Sequence, residues 1–349
     1  MSSLVESIPA NWYFDPEIYA LEQEKIFRKN WIFVTHADAL GIPGEFVTET
    51  IAGQSVVLVR AGENGSGSEP DNGINGFLNL CRHRASPVCA AHQGELQRFT
   101  CPYHGWSYDL DGKLLHAPGF EDELDKQRFG LIPVRVEVWN NLVFACLDPD
   151  VVTLEQWLGD IVKIAADYPS VASMEFDSVR TSDCGANWKN YSDNSAEGYH
   201  LGSIHPGLNR SLIKSQTCIQ PYENGNFIGF NVTYKSESEL GSPGFWIYKF
   251  PGLLIHFSLS GFNIERIIPV DENSARMQRW FWFKSDIDAS SRNETIAFSN
   301  QVMDEDMGIC RLVQKNLQGG IYDTGVLSPE REPGTIFFQQ CVRNALAGE

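Results

Sequence analysis

Long apolar runs are missing from this 349-residue sequence, and the longest, such as residues 252–257, span only a few positions. A helix that crosses a bilayer needs roughly 20 apolar residues, so we expect no membrane segment. Residues 1–10 lack a basic start followed by an apolar block, which predicts a cytoplasmic protein without a secretory signal. Basic residues are also scarce: 27 Lys and Arg face 45 Asp and Glu, and the net charge of −18 disfavours a nucleic-acid partner.

What the sequence does contain is the composition of an ordinary globular protein. Apolar residues make up 42% and charged residues 21%, which excludes a disordered, collagen-like or coiled-coil chain. The length predicts two domains, each able to bury a core. The 8 cysteines are expected to be reduced thiols, because the chain is long and its 12% of aromatic residues can build a core without disulfides.

The residue pattern predicts an α+β fold with a change of character near residue 150. Residues 16–30 have helical spacing with Asp15 as a possible N-cap. Residues 40–150 read as a small all-β unit, with a strand pattern at 45–60 broken at Gly53, a loop at 61–76, a hairpin turn at 109–113 and paired strands over 131–147. Residues 151–349 mix short strands with helices at 154–168 and 295–317, the second preceded by a capping-box pattern that starts at Ser291.

The first group of possible metal ligands combines two cysteines with two histidines. They come from two short segments, Cys81-x-His83 and, after 17 further residues, Cys101-x-x-His104. Two thiolates and two imidazoles suit zinc, and they also suit a [2Fe–2S] cluster with both cysteines on one iron and both histidines on the other, the Rieske arrangement. The order differs from that of a zinc finger, and the Pro and Gly beside the second pair indicate tight turns whose N–H groups can face a cluster. The pattern therefore favours the cluster.

The second group consists of two histidines five residues apart, His200 and His205, with acids upstream. Neutral imidazoles near a carboxylate suit a divalent metal. Residues five apart on a straight helix diverge by about 140°, so the pair needs a distorted helix end. Asp193, Glu197 and His200 are spaced by four and three, which predicts one shared helix face. Two surface histidines on a helix are the alternative for this segment taken alone.

A third ligand for this metal is expected from the predicted C-terminal helix, because two histidines need a carboxylate to complete a facial triad. Asp304, Glu305 and Asp306 are the candidates. An apolar stripe of this helix is defined by Val302, Ile309, Cys310, Val313 and Leu317. Asp306 falls within the stripe, where an acid is costly unless it is paired or bound to a metal. Asp304 and Glu305 are expected to be exposed acids.

These motifs together resemble those of the Rieske non-haem iron oxygenases. The segments CRHRA at 81–85 and CPYHGW at 101–106 resemble the Rieske motif, and the segment with His200 and His205 resembles the family's second motif. The stretch from Glu305 to Gln314 resembles the downstream carboxylate motif, with Asp306 at the ligand position. The resemblance runs from Trp12 to about Phe338.

The resemblance implies an oxygenase α subunit with three parts. Residues 1–39 would be a helical segment that packs on the catalytic domain, residues 40–150 an all-β Rieske [2Fe–2S] domain, and residues 151–349 a catalytic domain with an antiparallel sheet flanked by helices. The cluster would be bound by Cys81, His83, Cys101 and His104, and a mononuclear Fe(II) by His200, His205 and Asp306. Electrons would come from NAD(P)H through a separate flavin/iron–sulfur reductase or a ferredoxin. The substrates would be O2 and a small molecule. The assembly would be a homotrimer.

In this family an acid three residues before the first histidine connects the cluster of one subunit to the iron of the next. Glu197 has that position. We expect its carboxylate to accept hydrogen bonds from His200 and from His104 of a neighbouring copy, because a carboxylate fixes an imidazole tautomer and couples the two sites. Asp193 is a second candidate catalytic acid on the same predicted helix face.

The wider sequence looks nearest to choline monooxygenases and other quaternary-ammonium oxygenases, which hydroxylate or demethylate compounds of the choline, betaine or carnitine type. An aromatic cage would suit such a cation. The candidate aromatic residues are Trp246, Tyr248, Phe250, Phe257, Trp280 and Trp282. An aromatic-ring hydroxylating or O/N-demethylating Rieske oxygenase is the alternative enzyme, and a Rieske-type electron carrier is the alternative without oxygenase activity. Both monooxygenation and dioxygenation fit the motifs.

Overall fold

The computed structural model describes residues 4–61, 73–120, 124–213, 218–235 and 244–348. The chain divides into two compact units. The first, named the β unit, is Phe27–Trp157, and the second, named the α+β unit, joins Met1–Ile26 to Leu158–Glu349. The sequence pattern predicted the first boundary later, after residue 39. Residues 27–39 belong to the β unit because they supply one of its strands.

Helices and strands are numbered in chain order. The α-helices are α1 Pro16–Lys25, α2 Leu154–Leu158, α3 Ile161–Ala165, α4 Trp188–Ser195, α5 Leu201–Ile204, α6 Pro206–Ser211, α7 Ala289–Leu317 and α8 Pro333–Ala347. The strands up to residue 150 are β1 Val5–Glu6, β2 Ile32–His36, β3 Glu45–Ile51, β4 Gln54–Arg60, β5 Ile74–Leu78, β6 Gln93–Glu95, β7 Phe99–Thr100, β8 Ser107–Tyr108, β9 Leu114–His116, β10 Pro133–Trp139 and β11 Leu142–Cys146. The later strands are β12 Glu175–Asp183, β13 Cys218–Tyr222, β14 Phe227–Val232, β15 Gly244–Lys249, β16 Leu253–Ser258, β17 Gly261–Asp271, β18 Ser274–Phe283 and β19 Val326–Leu327.

The β unit contains a seven-stranded antiparallel sheet in the order β2-β11-β10-β5-β4-β3-β6 and a three-stranded sheet β7-β8-β9. Strand β4 is buried on both faces. Val57 and Val59 pack into one core with the cysteine-bearing loops, and Val56 and Leu58 pack into a second core. This division follows from the two-residue period of a strand. The predicted break near Gly53 is confirmed as the turn between β3 and β4.

The other predicted turns of the β unit are also confirmed, where the structure describes them. Asn140 and Asn141 both have positive φ angles, 52° and 67°, and they join β10 to β11 as an Asn-Asn hairpin turn. Lys113 O accepts a hydrogen bond from Asp109 N at 3.0 Å across the predicted hairpin turn at 109–113. Most of the predicted loop at 61–76 lies outside the described residues.

The α+β unit is built on a second seven-stranded antiparallel sheet, in the order β12-β18-β17-β16-β15-β14-β13, together with the short pair β1-β19. Helix α4 packs against α7 and α8. The predicted helix at 154–168 is interrupted, because Gly159 has a φ of +58° and its backbone lies against Asn224 O. Helix α7 begins earlier than predicted, at Ala289, because Asp288 is its N-cap and accepts hydrogen bonds from the N–H groups of Ser290 and Ser291.

No helix in the described part of the chain is both long and apolar enough to cross a bilayer. The cysteines whose side chains are described are all free thiols.

Candidate metal centres and active-site cavity

Two loops of the β unit bring four possible metal ligands together, and the two loops are built alike. In the first, Cys81 N donates to Ser86 O at 2.8 Å and Ala85 N donates to Cys81 O at 2.9 Å. In the second, Cys101 N donates to Trp106 O at 2.8 Å and Gly105 N donates to Cys101 O at 3.0 Å. Ala85 and Gly105 both have positive φ angles, 57° and 75°. Each loop therefore turns tightly around a buried cysteine.

The histidines of these loops lie beside each other. The ring centroids of His83 and His104 are 4.7 Å apart, His83 stacks on Trp106 at 5.1 Å, and Tyr103 stacks on His104 at 3.9 Å. His83 Nδ1 is buried, and no hydrogen-bond partner reaches it within the described residues. A buried ring nitrogen without a partner is costly, and a metal ligand bond would satisfy it. His104 is exposed to solvent.

The sulfur environment also suits a cluster. Tyr108 Oη lies 3.3 Å from Cys81 Sγ and accepts a hydrogen bond from the backbone N–H of Arg82 at 3.1 Å, which leaves its own proton free to point at sulfur. Burial opposes ionisation of the Cys101 thiol, but the backbone N–H groups of Tyr103 and His104 and the Cys81 thiol outweigh it and lower the pKa of Cys101. Two cysteines and two histidines on paired loops, with N–H groups directed at sulfur, fit a Rieske cluster.

A second centre lies in the α+β unit, where His200, His205 and Asp306 place one ligand atom each within 4.8 Å of one another. His205 Nε2 is 2.8 Å from Asp306 Oδ1, and His200 Nε2 is 3.5 Å from the same oxygen. The two imidazole rings are 5.1 Å apart and nearly perpendicular, at 76°. Two imidazole nitrogens and a carboxylate facing one point form the donor set of a mononuclear non-haem iron site.

Both imidazoles of this centre are oriented by a glutamate on the opposite ring nitrogen. Glu197 Oε1 is 2.5 Å from His200 Nδ1, and Glu305 Oε2 is 2.6 Å from His205 Nδ1. These carboxylates hold a proton on each Nδ1, so that each Nε2 is free to bind a metal. Burial works against a charged His205, but the carboxylates of Asp306 and Glu305 outweigh it and raise the pKa of His205.

The long helix α7 carries Asp306 on its buried side, as the apolar stripe predicted. Asp304 is exposed and pairs with Arg180 at 2.6 Å, as expected. Two expectations for this helix were wrong. Val313 is exposed, and the buried stripe runs instead through Met303, Met307, Cys310, Gln314 and Leu317. Glu305 is not a free surface acid, because it holds His205; its side chain is 29% exposed.

The shared helix face expected for Asp193, Glu197 and His200 does not exist, because α4 ends at Ser195 and α5 begins at Leu201. Glu197 and His200 meet within the intervening turn. The Asp193 carboxylate instead contacts Tyr13 Oη at 2.5 Å and Gln339 Nε2 at 2.9 Å. Asp193 is also absent from the residues that line the cavity, so the structure gives it contacts that anchor the N-terminal segment and α8.

A cavity of about 520 Å³ opens beside the second centre and is lined by His200, His205 and Asp306 together with the inner face of the seven-stranded sheet. Of the six candidate aromatic residues, Trp246, Tyr248 and Phe257 line this cavity. Phe250 packs against Phe338 instead, with ring centroids 6.2 Å apart. Trp280 and Trp282 stack on each other at 6.2 Å on the other face of β18, because successive side chains of a strand point to opposite faces.

Each of the two units contains a match to the model of a known domain family. Residues 30–135 match the model of the Rieske [2Fe–2S] domain, and residues 171–233 and 229–348 match the model of the ring hydroxylating alpha subunit (catalytic domain). The residues of the two metal centres described above all fall within these matches.

Relatives with assigned names extend over most of the chain. The carnitine monooxygenase oxygenase subunit of Escherichia coli (strain K12) is 28% identical over 327 residues, which is 90% of this chain and 85% of that protein. The chloroplastic choline monooxygenase of Atriplex hortensis is 26% identical over 334 residues, which is 91% of this chain and 73% of that protein. The N,N-dimethyl phenylurea N-demethylase subunit alpha of a Sphingobium species is 29% identical over 277 residues, 73% of this chain and 58% of that protein.

Solved structures share the fold. A quaternary ammonium Rieske monooxygenase, CntA, superposes with a TM-score of 0.86 at 22% identity, over 98% of this chain and 96% of that one. Naphthalene 1,2-dioxygenase from a Rhodococcus species superposes with a TM-score of 0.80 at 21% identity, over 98% and 94%. The expected N-terminal all-β domain followed by an antiparallel catalytic domain is confirmed. The chain therefore belongs to the Rieske non-haem iron oxygenases, as an alpha (oxygenase) subunit that uses a [2Fe–2S] cluster, a mononuclear iron and electrons from a separate reductase.

Proposed function

We propose that this protein is the oxygenase component of a system that hydroxylates or demethylates a quaternary ammonium compound. One observation carries the proposal: two carboxylate-held imidazoles and Asp306 converge on the wall of a cavity lined by Trp246 and other aromatic side chains. Relatives named for carnitine, choline and glycine betaine monooxygenation support the substrate class. An aromatic wall suits a trimethylammonium group through cation–π attraction.

In this proposal Cys81, His83, Cys101 and His104 bind the cluster, and His200, His205 and Asp306 bind the iron. When bound, the cluster supplies electrons singly and the iron activates O2 for attack on the substrate. The overall reaction consumes one O2, two electrons and two protons; one oxygen atom enters a C–H bond and the other leaves as water. If the carbon is an N-methyl group, the product releases formaldehyde and a demethylated amine. The protein orients the imidazoles, holds the substrate beside them and limits access of water.

Glu197 is proposed to connect the two centres across a subunit boundary in a homotrimer. Glu197 Oε1 lies 2.5 Å from His200 Nδ1, and the Glu197 side chain is 10% exposed. His104, the cluster ligand on the second loop, has its ring at the surface of the β unit and can reach a neighbouring copy. The structure of CntA is described in terms of inter-subunit electron transfer, which supports the same route in this protein.

The iron site is tested with two neighbouring acids of α7. We expect Asp306→Asn to lose the mononuclear iron, lowering the content from about three to about two Fe per chain, while the cluster absorption is unchanged. Asp304→Asn is the matched control, because Asp304 is exposed and pairs with Arg180. Full iron content in the Asp306 variant would refute the assignment. Zinc in place of iron and sulfide in the native protein would refute both centres.

The bridging role is tested on iron-loaded enzyme in a single turnover. We expect Glu197→Gln to be reduced by dithionite at the normal rate, yet to reoxidise its cluster at least about tenfold more slowly with substrate and O2, because the link between imidazoles is lost. Glu305→Gln is the control, since it alters the partner of the other histidine without altering the bridge. Normal turnover coupled to NAD(P)H oxidation in the Glu197 variant would contradict the role.

The substrate class is tested with a panel assayed through a surrogate reductase, measuring product and O2 uptake. Choline, glycine betaine and carnitine represent the proposed class, and a dimethyl phenylurea and simple aromatic compounds represent the alternative. Product from a quaternary ammonium compound supports the proposal. Product only from the neutral aromatic compounds would replace it with the demethylating or ring-hydroxylating alternative, and O2 uptake without product identifies an uncoupling mimic.

A further inference from the structure

A row of asparagines connects helix α4 to helix α7. Asn187, Asn190 and Asn194 are spaced by three and four, which places them along one face of α4, with Asn187 as its N-cap. The backbone N–H of Asn187 and the side-chain amide of Asn190 both donate to Gln314 Oε1, at 2.9 Å and 2.7 Å. Asn194 Nδ2 donates to Asp306 Oδ1 at 2.7 Å. The last contact of the row is therefore made to the proposed iron ligand of α7.

Asp306 Oδ1 is also the carboxylate oxygen that faces the two imidazoles. It lies 2.8 Å from His205 Nε2 and 3.5 Å from His200 Nε2. When the glutamates hold the protons on the opposite ring nitrogens, each Nε2 of a neutral imidazole offers a lone pair and no hydrogen. Among the described residues, the Asn194 amide is then the one side-chain donor to Asp306 that a metal ion between these atoms would leave in place.

The orientation of the Asp306 carboxylate depends on this amide. The side-chain χ2 torsion of an aspartate is broad, so the torsion itself does not fix which oxygen faces the imidazoles. Each side-chain contact of Asp306 in the described part of the chain is made by Oδ1. A carboxylate oxygen has two lone pairs, so Oδ1 can accept from Asn194 with one and bind a metal with the other.

Asn194 is itself held in place by the packing of the two helices. The preceding contacts of the row are buried, since Asn190 is 6% and Gln314 3% exposed. Gln314 Nε2 donates in turn to the backbone oxygen of Tyr13 at 2.9 Å. Asn194 lies in the last turn of α4, directly before the turn that carries His200. Because α4 cannot slide along α7 without breaking the buried contacts, the amide of Asn194 has a fixed position beside the site.

We infer that Asn194 is a positioning residue of the proposed iron site, whose amide N–H holds Asp306 Oδ1 toward His200 and His205. This inference rests on the proposed function, because it takes Asp306 as an iron ligand. Partners that hydrogen-bond to metal ligands contribute about 10–100-fold to metal affinity. A neutral amide is a weaker partner than a charged group, so the contribution of Asn194 belongs at the lower end of that range.

The affinity for Fe(II) is tested by competition with a chelator. We expect Asn194→Leu, which is similar in size but has no donor, to weaken Fe(II) binding about tenfold, and Asn194→Ala to do the same should the larger side chain disturb folding. Asn190→Leu is the matched control, because it removes a contact between the same two helices without touching Asp306. It should lower the denaturant midpoint and leave the Fe(II) affinity within about threefold.

Native affinity in the Asn194 variants would overturn the inference. An equal loss of affinity in the Asn190 variant would assign Asn194 a structural role and overturn it as well. Absence of mononuclear iron binding in the native protein, after reconstitution with Fe(II), would instead refute the proposed function.

A second readout reports the geometry around the iron in the loaded holoenzyme. Nitric oxide forms a paramagnetic adduct with Fe(II), and the rhombicity of its EPR signal depends on the arrangement of the ligands. The oxidised [2Fe–2S] cluster has no net spin and does not contribute. We expect Asn190→Leu to give the native signal, and Asn194→Leu to give a shifted signal or several signals, because its carboxylate can turn. A native signal from fully loaded Asn194→Leu would overturn the positioning role.

Discussion

The contact between Glu305 and His205 predicts how strongly a carboxylate outside the ligand set controls iron binding. Glu305 Oε2 lies 2.6 Å from His205 Nδ1, and His205 Nε2 lies 2.8 Å from Asp306. The His205 side chain is 1% exposed, so water cannot take the place of Glu305 easily. Replacing Glu305 by Ala leaves a buried N–H without its acceptor and an imidazole free to rotate.

The magnitude follows from the class of contact. Loss of a carboxylate that supports a metal-bound histidine costs about 10–100-fold in metal affinity, or about 1.4–2.8 kcal/mol. The Glu305 side chain is 29% exposed, and its Oε1 accepts a hydrogen bond from Gln301 Nε2 at 2.9 Å. Because the contact is partly exposed to water but held in place, we expect Glu305→Ala to weaken Fe(II) binding by about 30-fold, in the middle of that range. Glu305→Gln keeps an acceptor oxygen but removes the charge, so we expect a smaller loss, about tenfold.

Iron affinity is measured by competition with a chelator, while the visible absorption of the cluster reports that the β unit is intact. Asp304→Ala controls for the loss of negative charge from the same turn of α7, and we expect it to leave the affinity within about twofold, as for an exposed ion pair. The reasoning is wrong if Glu305→Ala binds Fe(II) as tightly as the native protein, or if the Asp304 variant loses as much affinity.

Three further predictions concern buried contacts of the α+β unit. Gly334→Ala should lower the free energy of unfolding by about 1–3 kcal/mol and weaken iron binding, since a Cβ there would overlap Ala196 O, next to the turn that carries Glu197 and His200. Denaturant unfolding measures the loss of stability, and the iron content measures the loss of metal. Lys189→Met should cost about 3–5 kcal/mol, because it leaves the fully buried Glu22 without its cationic partner at 2.6 Å, and a stability loss below about 1 kcal/mol would contradict that. Burial raises the pKa of Asp193 from 3.8 to about 7, so the folded state retains a proton that the unfolded chain releases, and stability should fall between about pH 4 and pH 7 and then level off. Asp193→Asn should flatten that fall in thermal unfolding measured across the same pH range, and an unchanged slope would exclude Asp193 as its source.

The grouping of the candidate ligands could be predicted from the sequence because it follows from local spacing and residue type. Cys81 and Cys101 each start a tight turn, and Asp306 lies on the buried side of a helix. The role of Glu305 could not be predicted, since adjacent helical residues diverge by about 100° and one of the two should face water. Both contact His205 because an imidazole has nitrogens on two edges, and α7 lies close enough for both acids to reach the ring. That placement depends on tertiary packing.

The wrong expectation for Asp193 has a related cause. A spacing of four and three predicts a common face only while the helix continues, and α4 ends at Ser195 before Glu197 is reached. The turn that follows gives His200 and Glu197 their contact, and it leaves Asp193 on the side of Tyr13. Sequence spacing thus predicted that Glu197 and His200 lie together, which the structure shows, but it assumed a continuous helix that the structure does not have.

The two glutamates that contact His200 and His205 lie at very different distances from them along the chain. Glu197 is three residues from His200, so its contact is made within one turn of the backbone. Glu305 is 100 residues from His205 and reaches it only while α7 is packed in place. Asp306 is carried by that same helix, so a displacement of α7 would move the proposed ligand Asp306 and the carboxylate that orients His205 together. We therefore expect iron binding at the proposed site to depend on the packing of α7 as well as on the local turn.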